Sequence, residues 1–215
     1  MNFTDGEMVF MNSITNEKKL YGLRFITPGI INENSYIKDT IQELKKKNII
    51  NKEEKLSEEG IICSYIFEEF KSSKNRLIIN NIQIALMNES DCAICLIRNG
   101  NNSNEIIIVK RDTLLLKLIT DCAYLRKKTE DNLIQEKSIE NQQWCEDIKK
   151  FEGDIISVEV IQEEKKKCEK VFYWNEKNGY EYDVRTKKER IATPQYIRIF
   201  LMKELGIDLK NMKGA

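Results

Sequence analysis

Three isoleucine-rich runs in close succession, 76–87, 92–98 and 105–111, constrain the fold more than any other feature of the chain. Each is short, rich in β-branched residues and bounded by a turn-forming cluster, Asn88-Glu89-Ser90 or Asn99-Gly100-Asn101-Asn102, so they read as strands joined by short loops. Loops of this length connect antiparallel neighbours, because a parallel pair needs a crossover of about a dozen residues or more. The pattern therefore predicts an antiparallel meander. Asp112 then introduces a helix over 113–126, in which Leu115, Leu118, Ile119 and Cys122 share a face; a strand through 114–119 is the alternative.

A similar order recurs downstream. Segments 155–161, 168–174 and 180–185 read as strands, with Asn178-Gly179 as the hairpin signal between the last two. Thr193 followed by Pro194 opens a helix that runs to Leu205 and stops at Gly206. Upstream, Thr4-Asp5-Gly6-Glu7 has the form of a capping box and predicts a helix over 5–14. The stretch 20–31, with Pro28-Gly29, reads as an extended connection or short strand ending in a turn. Ile37, Ile41 and Leu44 recur at helical spacing from Ser35 to Asn48. Ser57 caps a further helix with a broad stripe of Ile61, Ile62, Tyr65, Ile66 and Phe70. These two helices predict an antiparallel hairpin.

The fold class is thus α+β: antiparallel sheet with an N-terminal helical hairpin and an apolar helix after each meander. The chain reads as a single α+β domain, 1–215, with halves 1–127 and 154–215 joined by the charged segment 128–153. The halves share an order of elements without a residue-level repeat.

Chemistry is restricted by what is missing. The chain has no histidine, which removes the commonest general base and metal ligand together with every Ser-His or Cys-His arrangement. Its nine glycines form neither a dinucleotide-binding turn nor a P-loop. Cys92 and Cys95 have redox or metal spacing, but within a strand they point to opposite faces and read as two apolar strand cysteines. The paired acids Glu53-Glu54, Glu58-Glu59, Glu68-Glu69 and Glu163-Glu164 read as solvated helix or loop faces. No enzyme activity and no cofactor are expected. Thirty-five basic residues balance thirty-five acidic ones, so the molecule as a whole has no net attraction for nucleic acid or anionic lipid. No apolar run approaches the roughly 20 residues of a membrane helix. Asp5 and Glu7 stand where a signal peptide would carry lysines, and the expectation is a cytoplasmic protein with reduced thiols.

Large aromatic residues are then the candidates for contact with a protein partner. Trp144 and Phe151 are the largest apolar groups in or beside the charged segment, and Trp174 ends the run Val171-Phe172-Tyr173-Trp174. Trp144 is either a partner anchor or a staple of that segment onto the core; for Trp174 the alternative is packing on the core or a sheet face.

The order of elements, with Leu44-Lys45-Lys46-Lys47-Asn48-Ile49-Ile50 leading into Leu56-Ser57-Glu58-Glu59-Gly60, the meander, the helix around Leu114-Leu115-Leu116-Lys117-Leu118-Ile119 and the second meander plus helix, resembles the EspG and EsaE-like chaperones of type VII secretion systems. In length and in its short N-terminal region the chain is similar to Firmicutes-like members. The resemblance implies a non-catalytic cytosolic chaperone that binds a helical secretion substrate of the WXG or LXG type before export, and it assigns no functional residue by identity. Two helices, a Leu-Ser-x-x-Gly turn and a hairpin also spell a winged-helix DNA-binding regulator, although Glu58, Glu59, Glu68 and Glu69 are the wrong charge for a recognition helix. A carboxylate-dependent enzyme is the third reading.

Overall fold

The computed structural model describes residues 1–15, 33–100, 102–128, 136–174 and 178–208, and of these residues 33–36 by backbone alone. The first elements are β1 (Asn2–Phe3) and α1 (Asp5–Ile14). Thr4 closes both halves of the capping box: its hydroxyl accepts from the Glu7 N–H at 3.2 Å, and the Glu7 carboxylate accepts from the Thr4 N–H at 2.6 Å. The extended stretch expected over 20–31 lies outside the described residues. α2 (Glu33–Lys46) ends where Asn48 turns to φ 57°, and α3 (Glu58–Ser72) begins under the Ser57 hydroxyl, which accepts from the Gly60 N–H at 3.1 Å. α1 packs against both α2 and α3.

The first isoleucine-rich run is two strands where the pattern suggests one. Asn80 takes φ 51°, a left-handed conformation that asparagine tolerates better than most residues, and its side-chain oxygen accepts from the Ser157 N–H at 2.8 Å. With Asn81 it turns β2 (Asn75–Ile79) back into β3 (Ile82–Leu86), leaving Ile79 opposite Ile82. β4 (Cys92–Arg98) and β5 (Asn104–Lys110) complete a four-stranded meander, followed by α4 (Arg111–Asp121) and a single 3-10 turn, Tyr124–Arg126. The charged stretch after it contributes β6 (Glu136–Ser138) and α5 (Asn141–Ile148). β7 (Asp154–Gln162), β8 (Lys165–Trp174), β9 (Gly179–Asp183) and β10 (Lys188–Ile191) form the second meander, and α6 (Pro194–Glu204) follows under a Thr193 cap, with Gly206 at φ 67° beyond its end. The β7–β8 turn sits on Glu163 and Glu164, at φ 49° and 64°.

Among the described residues ten strands lie in one antiparallel sheet of order β1-β5-β4-β3-β2-β7-β8-β9-β10-β6. The order is palindromic about the β2–β7 seam. Each half supplies an edge strand (β1; β6), then helix (α1–α3; α5), then a meander of four, then a closing helix (α4; α6). This topology replaces the winged-helix alternative.

Side chains alternate across the sheet and so build separate cores. On one face Leu77, Ile79, Ile84, Cys95, Val158 and Phe172 meet α4 and α6 through Leu114, Leu115, Ile197 and Leu201. On the other, Ala85, Ile94, Leu96 and Ile106 meet Met8, Met11, Leu44, Phe67 and Phe70 of α1–α3. Phe67 is 1% exposed, and truncating a buried ring of this kind costs about 3–5 kcal/mol. α5 covers the same face of the second half, seating Trp144 on Tyr173 and Tyr182. Among the described residues no helix is long and apolar enough to cross a membrane.

Candidate protein-docking groove

The way α3 is fastened decides which of its residues are left over. At its first turn the Ser57 N–H donates to the Ile49 carbonyl at 3.0 Å, and the Ser57 hydroxyl donates to the Asn48 carbonyl. Gly60 sits so close to Ile49 that a Cβ would stand 2.0 Å from the Ile49 carbonyl oxygen. Cys63, Phe67 and Phe70 then face the sheet and are buried; the Phe67 ring meets Phe3 edge-on at 5.8 Å. With this register fixed, the helical period leaves Ile62 and Tyr65 on the outer flank, 56% and 66% exposed, and Ile61 beside them. The apolar stripe read from the sequence is too broad for one sheet contact, and its surplus lies in solvent.

The sheet edge beside α3 is similarly incomplete. β1 pairs with β5 only at Asn104 and Glu105, and the Ile106 N–H donates to the Met1 carbonyl at 2.8 Å. Ile108, on the same side of β5 as the buried Ile106, is 50% exposed. Between helix and edge lies a cavity of about 240 Å³ walled by Met1, Phe3, Cys63, Ile66, Ile106 and Ile108, with Phe67 at its base. Burial pushes the Cys63 thiol up, against the pull of the Met1 ammonium and with a smaller push from the Glu59 carboxylate, so this wall carries a neutral thiol. An apolar cavity with exposed apolar residues on its rim is suited to taking a side chain from a partner.

Trp144 and Phe151 come together around Tyr173. The Trp144 ring stacks on Tyr182 at 4.5 Å, and Phe151 meets Tyr173 edge-on at 5.1 Å. Trp144 is 9% exposed, and its indole N–H is buried. Trp174 is on the opposite sheet face, stacked on Tyr124 at 5.4 Å and donating to Asp154 at 3.2 Å. All three rings pack against the chain itself, and none lines the α3–β5 groove. Sequence reading places Ile62 and Tyr65 in an apolar helix stripe and Ile108 in a strand, without naming any of them as a partner contact; the signal available is the excess width of the α3 stripe.

Two buried acids also escape sequence reading. Glu181 is held between Lys170 and Arg190, the latter at 3.1 Å. Burial works against the Lys170 charge, yet contact with Glu181 raises its pKa. Glu189 accepts from the Tyr173 hydroxyl and pairs with Lys137 at 2.7 Å. Burial, then the Glu189 contact, raises the Tyr173 pKa. Both are matched charges within the second half. Cys92 and Cys95 lie on opposite faces of β4, and burial pushes the Cys95 thiol up to about 12. Among the described residues no group of three or more Cys, Asp or Glu is placed to hold a metal ion.

No curated protein matches the chain. Among solved structures, the fold is similar to that of the Mycobacterium tuberculosis type VII secretion system chaperone EspG5 in complex with a PE25–PPE41 dimer, with a TM-score of 0.52, 8% identity and 95% of each chain covered. At that identity the likeness is one of fold. A family model described as a domain of unknown function matches residues 1–213, and the chain belongs to that family, DUF5081.

Proposed function

We propose that this chain is a non-catalytic cytoplasmic chaperone or adaptor that binds a helical protein, of the WXG or LXG kind, before its export by a type VII secretion system. The observation that carries the reading is the apolar surface left by α3 and β5, where Ile108 stands exposed at a cavity of about 240 Å³ and Ile61, Ile62 and Tyr65 stand exposed along α3, which supplies the cavity's Cys63 and Ile66. Folding leaves these groups in water, and a partner that removes them from water gains hydrophobic free energy. The fold shared with EspG5, itself described in complex with a PE25–PPE41 dimer, supports the same reading.

Co-expression of the tagged chain with small helical secretion proteins encoded beside it, followed by size exclusion with light scattering, tests the proposal. A stoichiometric complex that keeps the partner in solution is expected. Ile62→Asp is expected to weaken it by about 2 kcal/mol, roughly 30-fold, by losing the burial of one large aliphatic group. A chain that elutes alone with every such partner, or one that instead shifts duplex DNA at physiological salt, sinks the reading.

A further inference from the structure

We infer that the occupant of the α3–β5 groove is an amphipathic helix whose apolar stripe is flanked by lysine or arginine; the inference rests on the docking reading above and adds the chemistry of the partner. The first observation is shape. The exposed residues of α3 recur one turn apart and continue into the cavity through Ile66, the spacing that receives anchors at i, i+3 and i+4 of a facing helix. Beyond Ile106 nothing among the described residues pairs with the outer edge of β5, but that free edge is only the last few residues of the strand, too short a template for an added strand to be the main contact.

The second observation is charge. Glu58 and Glu59 stand exposed one turn before Ile62 and Cys63, and Glu69 stands exposed one turn beyond Tyr65. None of the three enters an ion pair among the described residues. Of the nearby cations, Lys47, whose ammonium lies over the Phe3 ring, pairs with Glu7 at 2.6 Å and Lys110 has Asp91 at 4.0 Å, while the Met1 ammonium, donating to the Ile106 carbonyl at 2.9 Å, is a single positive charge against three carboxylates. A chain with no net charge thus presents a locally negative rim around an apolar floor. Glu58 and Glu59 also suit the positive end of the helix dipole, which accounts for them without a partner. Glu69 lies in the last turn, where a negative charge opposes that dipole, so folding gives no reason for it. A partner with basic flanks is steered towards such a rim, and an acidic one is repelled.

The test uses two fluorescent helical peptides with the same leucine stripe, one flanked by lysine and the other by glutamate, titrated with the full chain and read by anisotropy. The lysine peptide is expected to bind about tenfold tighter at low salt, the scale of two or three surface ion pairs, with the advantage shrinking as salt rises. The double variant Glu58→Lys, Glu69→Lys is expected to reverse the preference, and Ile62→Asp to weaken binding of both peptides roughly 30-fold with the far-UV spectrum unchanged. Equal affinities that Ile62→Asp still weakens overturn the charge inference and leave the groove standing. Binding that ignores Ile62→Asp, or no binding of either peptide, overturns the groove as well. A concentration-dependent dimer dispersed by Ile62→Asp assigns the groove to a second copy and likewise overturns the inference.

Discussion

Gly60→Ala sets two effects of opposite sign against each other at the base of α3. Alanine is the better helix former by about 1 kcal/mol, and a reading from propensity alone predicts a more stable protein. The structure predicts the reverse. A Cβ at this position would lie 2.0 Å from the Ile49 carbonyl oxygen and 3.1 Å from a Leu56 methyl, whereas an ordinary carbon–oxygen contact needs roughly 3.3 Å. The obstacle is backbone, so relief requires the first turn of α3 to retreat by more than an ångström from the 48–50 segment. That retreat strains the Ser57 N–H bond to the Ile49 carbonyl, worth about 1 kcal/mol, on top of the roughly 1–3 kcal/mol that overpacking costs. After the gain in propensity, a net loss of about 1–3 kcal/mol remains. The assay is urea unfolding followed by circular dichroism. With an unchanged slope near 2 kcal/mol per molar, the midpoint is expected to fall by about 1 M. A midpoint equal to or above that of the unaltered chain would refute the claim that α3 is docked through the Ile49 carbonyl.

Burial pushes the Cys95 thiol up to about 12 and the Cys168 thiol to about 11, from an ordinary value of 9.0. A raised folded-state pKa gives stability that is full below pH 9 and lost as pH climbs towards the folded value, because the unfolded chain releases a proton the folded one keeps. The expected slope is roughly 1.4 kcal/mol per pH unit for each thiol, and unfolding midpoints between pH 8 and 10.5 should fall less steeply in Cys95→Ala; parallel curves for the two proteins contradict it. Cys145 is the exposed cysteine among six, so a thiol-reactive dye is expected to label it first, and Cys145→Ser to remove the fast phase. Tyr124→Phe deletes the hydroxyl that donates to the Ala192 carbonyl at 2.9 Å and leaves that buried oxygen without its side-chain donor. A loss of about 1–2 kcal/mol is expected by thermal or urea unfolding, and an unchanged midpoint means that this bond contributes nothing net.

Most of the fold was legible because its signals are local. The Thr4 capping box, the Ser57 cap and the Thr193-Pro194 opening each fix a helix start through a side chain within three residues of the backbone it serves. Where the signal was weak, elements merged or vanished. Asn80-Asn81 hid inside a run that alternates well enough to pass as one strand. Glu163 and Glu164 adopt left-handed turns with no glycine or asparagine to announce them, held there by the pairing of β7 with β8. β10 was missed because Lys188, Glu189 and Arg190 look like solvent-facing loop, whereas Glu189 is buried under the Tyr173 hydroxyl and Arg190 reaches Glu181. The groove was harder still. Which side of α3 is surplus depends on the Gly60 approach to Ile49 and on how far β1 reaches along β5, and both are contacts between segments distant in sequence.

The palindromic strand order also bears on how the chain reaches its native state. Within each meander, neighbouring strands are joined by short turns, so their pairing fixes little chain at a time. The β2–β7 seam, by contrast, joins Ile79 to Val158 and closes a loop of roughly eighty residues, whose entropy must be lost before any of its contacts form. Contacts of such separation slow folding. Two hairpin-built halves that gather early and a central seam that forms late are the order this topology favours. Until the seam closes, each half presents an unpaired central strand, and those two strands rather than the short outer edges are where a nascent chain is most open to pairing with the wrong neighbour.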